Sequence, residues 1–169
     1  TGILLSGCNG KMGKVITGDD IEIVGGIDLN TEAGAGYPVF ASPTEVTPEV
    51  LARTDVIIDF SNPSAFAGLI EFAVKAAKPA VFATTGLNEA QLTLLHHAAD
   101  KIPVFFAANM SLGVSLISEL AQKAAKVLGD DFDIEIVEMH HNQKVDAPSG
   151  TALMLADSIK EALGEDMHY

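Results

Sequence analysis

The stretch that decides the fold reads I-L-L-S-G-C-N-G-K-M-G, from Ile3 to Gly13. A short apolar run, Ile3-Leu4-Leu5, gives way to Gly7, Gly10 and Gly13. An apolar strand followed by a glycine turn that opens a helix is the setting of a dinucleotide fingerprint. The glycines let the backbone bend tightly and approach a pyrophosphate, whose charge is met by N–H groups at the helix start. The spacing here is G-x-x-G-x-x-G, a variant of the commoner form, and by itself it suits an ordinary strand-to-helix turn equally well. Asp28 separates the two. It ends the second apolar run, 21 residues after Gly7, where a carboxylate accepts from the ribose hydroxyls of an adenosine. Together these features predict a dinucleotide site formed by Gly7, Asn9, Gly10, Lys11, Met12, Gly13 and Asp28. Asp28 repels a 2′-phosphate and no Arg follows it in Asp28-Leu29-Asn30-Thr31, so NADH is favoured. The charge of Lys11 leaves NADPH open. Cys8 sits where a helix start can stabilise a thiolate, but reads better as a small residue in a tight loop.

Outward from this loop, apolar runs recur at Ile21–Ile27, Asp55–Phe60, Pro79–Ala83 and Pro103–Ala107. Near-continuous apolar strands suit a parallel sheet covered on both faces. Between them, Ser64 to Ala77 predicts a helix with Phe66, Leu69, Ile70, Phe72 and Ala73 toward the sheet. Asn88 to Ala99 predicts another, with Asn88 as N-cap and Gln91 at capping-box spacing. The first crossover is tight, because Gly18-Asp19-Asp20 ends its helix after about two turns. This alternation predicts an α/β fold, a Rossmann-like doubly wound parallel sheet over residues 1–108. Two further loops, Asp59-Phe60-Ser61-Asn62-Pro63 and Ala83-Thr84-Thr85-Gly86, fall at strand carboxyl ends, where turn chemistry or backbone contacts to a ribose and nicotinamide explain them equally.

From Ser111 the pattern changes. Leu116, Ile117, Leu120, Ala124, Val127 and Leu128 lie at helical spacing before Gly129, a predicted stop. A strand at Phe132–Met139, a polar loop and a helix from Thr151 to Leu163 complete a predicted α+β substrate domain over residues 109–169. It looks incomplete, since one strand lacks a partner for its backbone groups.

Composition narrows the function. Net charge is −13, and the ten basic residues include a single arginine, Arg53, which argues against nucleic acid because phosphate contacts need clustered Lys and Arg. No apolar run reaches the roughly 18 residues of a membrane span. The opening residues do not have the pattern of an export signal and Cys8 is the only cysteine, so a cytoplasmic protein without a disulfide framework is expected.

The second motif is E-M-H-H-N-Q-K-V-D-A-P-S-G-T-A, Glu138 to Ala152. If the strand continues, His140 and His141 point to opposite faces and do not share a metal; no metal is expected. Pro148-Ser149-Gly150-Thr151 begins a helix whose N–H groups at Gly150 and Thr151 offer an anion pocket, with Lys144 as a point charge beside it. Imidazoles at its edge can exchange a proton near neutral pH. A polar loop capped by Ser149 remains the simpler account on chemistry alone. His96 and His97 lie on a helix without convergent partners and read as surface residues.

With these motifs in hand, the chain resembles the 4-hydroxy-tetrahydrodipicolinate reductase (dihydrodipicolinate reductase) family of bacterial lysine and diaminopimelate synthesis. G-C-N-G-K-M-G, D-F-S-N-P, Thr84-Thr85-Gly86, Ala108-Asn109-Met110-Ser111-Leu112-Gly113-Val114 and above all Glu138–Ala152 carry the resemblance, in order along nearly the whole chain. It implies a Rossmann domain joined to a substrate domain, and reduction of a cyclic dicarboxylate by NADH or NADPH. His140 is then the proton donor and Lys144 its partner in acid catalysis and carboxylate binding. His141, Ser149, Gly150 and Thr151 hold substrate. Phe60, Thr84, Thr85 and Gly86 flank the nicotinamide ribose, and Ala108, Asn109 and Met110 lie at the hinge on the cofactor side. A homotetramer is also implied. Lys11 stands where the family often has Arg, and family members continue past the helix ending near Leu163, with strands that are not among these residues. Two other readings stay open: a dehydrogenase of another small amino dicarboxylate, and a dinucleotide-binding regulatory module without catalysis.

Overall fold

The apolar runs become strands of one six-stranded parallel sheet. In chain order they are β1 (Gly2–Ser6), β2 (Glu22–Ile27), β3 (Val39–Phe40), β4 (Val56–Asp59), β5 (Ala80–Phe82) and β6 (Val104–Phe106), and the spatial order is β3-β2-β1-β4-β5-β6. This is the doubly wound Rossmann order, which reverses direction between β1 and β4. The computed structural model describes residues 1–32, 36–107, 109–140, 142 and 147–164.

The chain divides into two compact units, Thr1–Ala108 and Asn109–Tyr169. In the first, helices α1 (Pro48–Arg53), α2 (Pro63–Lys75) and α3 (Glu89–Ala99) alternate with the strands. Phe66, Leu69, Ile70 and Ala73 of α2 are buried as their spacing predicts, and Phe72 packs partly buried against the same core. Phe66 meets Phe82 of β5 edge to face, ring centroids 4.9 Å apart. Each such side chain contributes about 1.5–3 kcal/mol of burial, which fixes α2 against the strands whose ends form the site. α3 starts with the predicted capping box: Asn88 Oδ1 accepts the Gln91 N–H and Gln91 Oε1 accepts the Asn88 N–H, each at 2.9 Å.

Two expectations fail here. The glycine loop does not open an α-helix; only a three-residue 3-10 turn, Gly13–Val15, follows it. Gly18-Asp19-Asp20 comes too soon for the costly nucleus of a helix to be repaid by further turns. The sheet also holds an extra strand, β3, and α1 precedes β4. The signals for α1 are in the sequence: Thr47 caps it by accepting the Val50 N–H, with Pro48 at its first position and Glu49 in its first turn.

The second unit contains α4 (Leu112–Leu128), the predicted stop at Gly129, and α5 (Gly150–Leu163). The Ser118 hydroxyl donates to Ser158 Oγ at 3.0 Å, joining the two helices. The predicted strand at Phe132–Met139 is not formed; the segment has no ladder partner among the described residues. Side-chain alternation is a local property, whereas a strand also needs a neighbouring backbone. Ile134 and Ile136 nevertheless turn toward Ala152, Ala156 and Ile159 of α5, lining a cavity of about 620 Å³ with them. The apolar stripe of α4 is largely uncovered, with Leu116, Ile117, Leu120 and Val127 all exposed.

Candidate functional site

The carboxyl ends of β1, β2 and β4 open onto a cleft of about 570 Å³ lined by Ser6, Gly7, Gly10, Asp28, Phe60 and Ser61 among others. It lies where the strand order reverses, the place at which open α/β sheets bind ligands. Gly7 has φ +73°, and a Cβ there would stand 2.7 Å from the Phe60 carbonyl carbon. Glycine therefore lets the β1 loop pass close to the β4 loop, with the conformation that other residues resist. Gly13 is buried, and a Cβ on it would come within 2.7 Å of Cys8 Cα.

Asp28 organises the rim. Its Oδ2 accepts the Asn9 N–H at 3.0 Å and its Oδ1 the Asn30 N–H at 3.1 Å, while Asn9 Nδ2 donates to the Asn30 carbonyl at 2.5 Å. Each carboxylate oxygen has capacity for another donor, so two ribose hydroxyls can be accepted without breaking the frame. Lys11 and Met12 are exposed in the glycine loop. With only a 3-10 turn behind it, the loop offers an anion its own amides rather than those of a helix start. Across the cleft, the start of α2 contributes Asn62, Ser64, Ala65 and Gly68 to the lining. Ser61 and Asn62 belong to the Asp59–Pro63 loop expected at a strand end, whereas Ser64, Ala65 and Gly68 were not singled out from the sequence, although Asn62-Pro63-Ser64 is a legible helix start: Asn62 Oδ1 accepts the Ser64 N–H at 3.0 Å. The Ser61 hydroxyl is buried with no hydrogen-bond partner among the described residues. The donors, the acceptor pair and the glycine clearance fit a dinucleotide.

Asp59 ties the two remaining loops together. It is fully buried, its Oδ1 accepting the Ser61 N–H at 3.1 Å and its Oδ2 the Thr84 hydroxyl at 2.5 Å. Thr84 therefore directs its side chain inward, leaving backbone groups and the exposed Thr85 and Gly86 for any ligand. Cys8 is buried beneath the loop; burial first, then the nearby negative charge of Asp28, pushes its thiol above the ordinary value. Tyr37 is pushed up too, by burial and then by Cys8. Neither behaves as an activated nucleophile.

In the second unit, Ser149 is the N-cap of α5, its Oγ accepting the Ala152 N–H at 3.1 Å. Its own N–H donates to Glu138 Oε1 at 2.7 Å, and its hydroxyl donates to Glu138 Oε2. Both of its donors are thus engaged, while Gly150 and Thr151 lie exposed at the first turn of the helix. His140 approaches the same carboxylate, its Nδ1 3.5 Å from Glu138 Oε2. His141, Lys144 and Ala108 lie outside the described residues. Asn109 Oδ1 accepts the Ser111 N–H at 3.0 Å, Ser111 caps α4, and Met110 is exposed. His96 and His97 are exposed on α3. Among the described residues no group of three His, Cys, Asp or Glu is placed to hold a metal ion.

Comparison with known proteins converges on one family. Residues 1–110 match the family model of the dihydrodipicolinate reductase N-terminus, and residues 113–168 that of its C-terminus. A 4-hydroxy-tetrahydrodipicolinate reductase of Clostridium perfringens (strain SM101 / Type A) is 45% identical over 170 residues, which is 97% of this chain and 65% of the relative. The enzyme of that name from Caldanaerobacter subterraneus subsp. tengcongensis is 47% identical over 172 residues, 99% of this chain and 66% of its own. Among solved structures, the dipicolinate-bound dihydrodipicolinate reductase of Paenisporosarcina sp. TG-14 superposes with a TM-score of 0.76 at 29% identity, covering 99% of this chain and 68% of that one. The chain spans about 65% of the length of its first curated relatives. Two consecutive family models, a shared fold and this level of identity leave one conclusion: the chain belongs to the dihydrodipicolinate reductase family.

Proposed function

We propose that the protein reduces 4-hydroxy-tetrahydrodipicolinate, through its dehydrated form, to tetrahydrodipicolinate at the expense of NADH or NADPH, in diaminopimelate and lysine synthesis. The observation that carries this most directly is the Glu138–Thr151 segment, where an imidazole stands beside a helix start in a chain whose other unit opens a dinucleotide cleft. Dipicolinate bound to the Paenisporosarcina relative supports a planar dicarboxylate as the ligand class. When bound, the reduced nicotinamide supplies a hydride to the unsaturated C4 of the substrate. The residues of this chain do the rest. Asp28 accepts the adenosine ribose hydroxyls, and the glycine loop gives the pyrophosphate room. Gly150 and Thr151 donate to a substrate carboxylate, and Lys144 and His141 are assigned to the same ligand by the family resemblance. His140 gives the proton that quenches the electron density left by hydride addition, a step in which general acid catalysis is worth roughly 10²–10⁴-fold. Domain limits at 1–108 and 109–169, a homotetramer and a cytoplasmic setting belong to the same proposal; no helix of the described residues is long and apolar enough to cross a membrane.

NADH is favoured over NADPH, supported by the carboxylate of Asp28 at the ribose position. The decisive experiment adds the freshly formed hydroxy-tetrahydrodipicolinate to the full chain and follows nicotinamide absorbance. Substrate-dependent oxidation of NADH, inhibited competitively by pyridine-2,6-dicarboxylate, is expected. Cofactor binding without any oxidation would favour the regulatory module, and oxidation that the inhibitor leaves untouched would favour another amino dicarboxylate.

A further inference from the structure

Three contacts converge on one carboxylate that the proposed reaction leaves without a role. Glu138 Oε1 accepts the Ser149 N–H at 2.7 Å, Oε2 accepts the Ser149 hydroxyl, and the same Oε2 lies 3.5 Å from His140 Nδ1. The local chain explains the arrangement. Glu138 and His140, two residues apart, bring their side chains together, while Met139 between them is 93% exposed. Ser149 is buried, at 3% exposure, and fixed by its own capping bond to Ala152. The carboxylate is therefore anchored at the start of α5 before it meets the imidazole.

We propose that Glu138 is a positioning residue for the proton donor: it holds the Nδ1 edge of His140 and leaves Nε2 as the nitrogen that gives up the proton. This rests on the assignment of His140 as donor. Which imidazole nitrogen keeps its proton is set by the partner of the other. A carboxylate facing Nδ1 favours a proton there, whereas a free imidazole in water prefers Nε2–H. As the Nε2–H bond breaks and a C–H bond forms on the reduced substrate, the ring becomes the neutral Nδ1–H tautomer with its partner still in place. The separation of 3.5 Å is that of an ion pair rather than a short hydrogen bond, and such contacts commonly tighten when substrate binds. The same carboxylate occupies both donors of Ser149, so substrate is left to Gly150 and Thr151 while Ser149 sets where that first turn begins.

The test uses the full chain with ¹⁵N-labelled histidine, recorded at a pH where the His140 ring is neutral, alongside steady-state kinetics. The parent should show the Nδ1–H tautomer. Glu138→Gln keeps the shape of the side chain but removes its charge; Nε2–H should then dominate, and kcat should fall about tenfold or more, part of what general acid catalysis supplies, with NADH affinity unchanged. Ser149→Ala removes the hydroxyl contact but spares the carboxylate, and should keep the parent tautomer while raising KM for substrate. An unaltered tautomer in Glu138→Gln overturns the role, and so does a Ser149→Ala protein that reproduces the shift, because Glu138 would then act only through the helix cap. A His140→Gln enzyme that keeps its rate removes the donor itself, and the two failures are thereby told apart.

Discussion

Asp28 both accepts two backbone N–H groups and faces the cleft, so its removal costs binding as well as local order. Asp28→Ala should weaken NADH by about tenfold, or 1.4 kcal/mol, and spare NADPH, which loses a repulsion along with an acceptor. Calorimetric titration of both cofactors reads this directly; equal losses for the two would deny the ribose contact. Cys8 and Tyr37 give a prediction in pH. Both are raised above their ordinary values, 9.0 for the thiol and 10.0 for the phenol. The folded state therefore holds these protons more tightly than the unfolded chain. The stability this contributes is complete below the unfolded values and is lost as pH rises through the folded ones. Urea midpoints should fall as pH rises beyond 9.0, the ordinary value of the thiol, and fall less in Cys8→Ala; identical alkaline losses would exclude the thiol. At this scale the sequence singles out Asp28 and His140, because each stands in a motif with a chemical reason. Glu138 was not legible. Its meaning depends on Ser149, eleven residues away, and that meeting exists only once the chain has turned back.

Helices and strands were legible where a whole element shares one environment. Five of the strands announced themselves as apolar runs because a parallel sheet is covered on both faces. β3, two residues long, is too short to leave a pattern and is held by its pairing with β2. The Phe132–Met139 segment shows the opposite failure: its alternation is clear, but pairing is supplied by other parts of a fold and not by the segment itself. The absent first helix follows from Gly18-Asp19-Asp20, and under the proposed function the loop itself would meet the cofactor phosphates. The turn at Gly7 is the element most exposed to a single substitution. Gly7→Ala places a methyl 2.7 Å from the Phe60 backbone at a positive φ, so it should cost about 1–3 kcal/mol and abolish measurable cofactor binding. Urea unfolding with parallel calorimetry checks both; a stable variant that binds normally would mean the two loops are not packed as described.

For the molecule as a whole, the sheet with its helices has its own core and its own cleft within Thr1–Ala108. A fragment of residues 1–108 should therefore fold cooperatively and bind NADH within about threefold of the full chain, a difference of roughly 0.7 kcal/mol. Circular dichroism and titration of the fragment would show it, and a fragment that unfolds or fails to bind would place part of the cofactor site elsewhere. The second unit was less legible because its apolar residues, Leu116, Ile117, Val137 and Met139 among them, remain exposed in the described structure; a sequence pattern states that such a face will be covered but not by what.

The claim that the protein is a reductase with its proton donor in the second unit stands or falls on His140→Gln, which keeps a hydrogen-bonding side chain but cannot cycle its charge. In the full chain, single-turnover reduction followed by nicotinamide absorbance should slow by about 10²-fold or more, with NADH affinity unaltered. Turnover equal to the parent's from about pH 6 to about pH 9 would contradict the account, because the acid would then lie elsewhere.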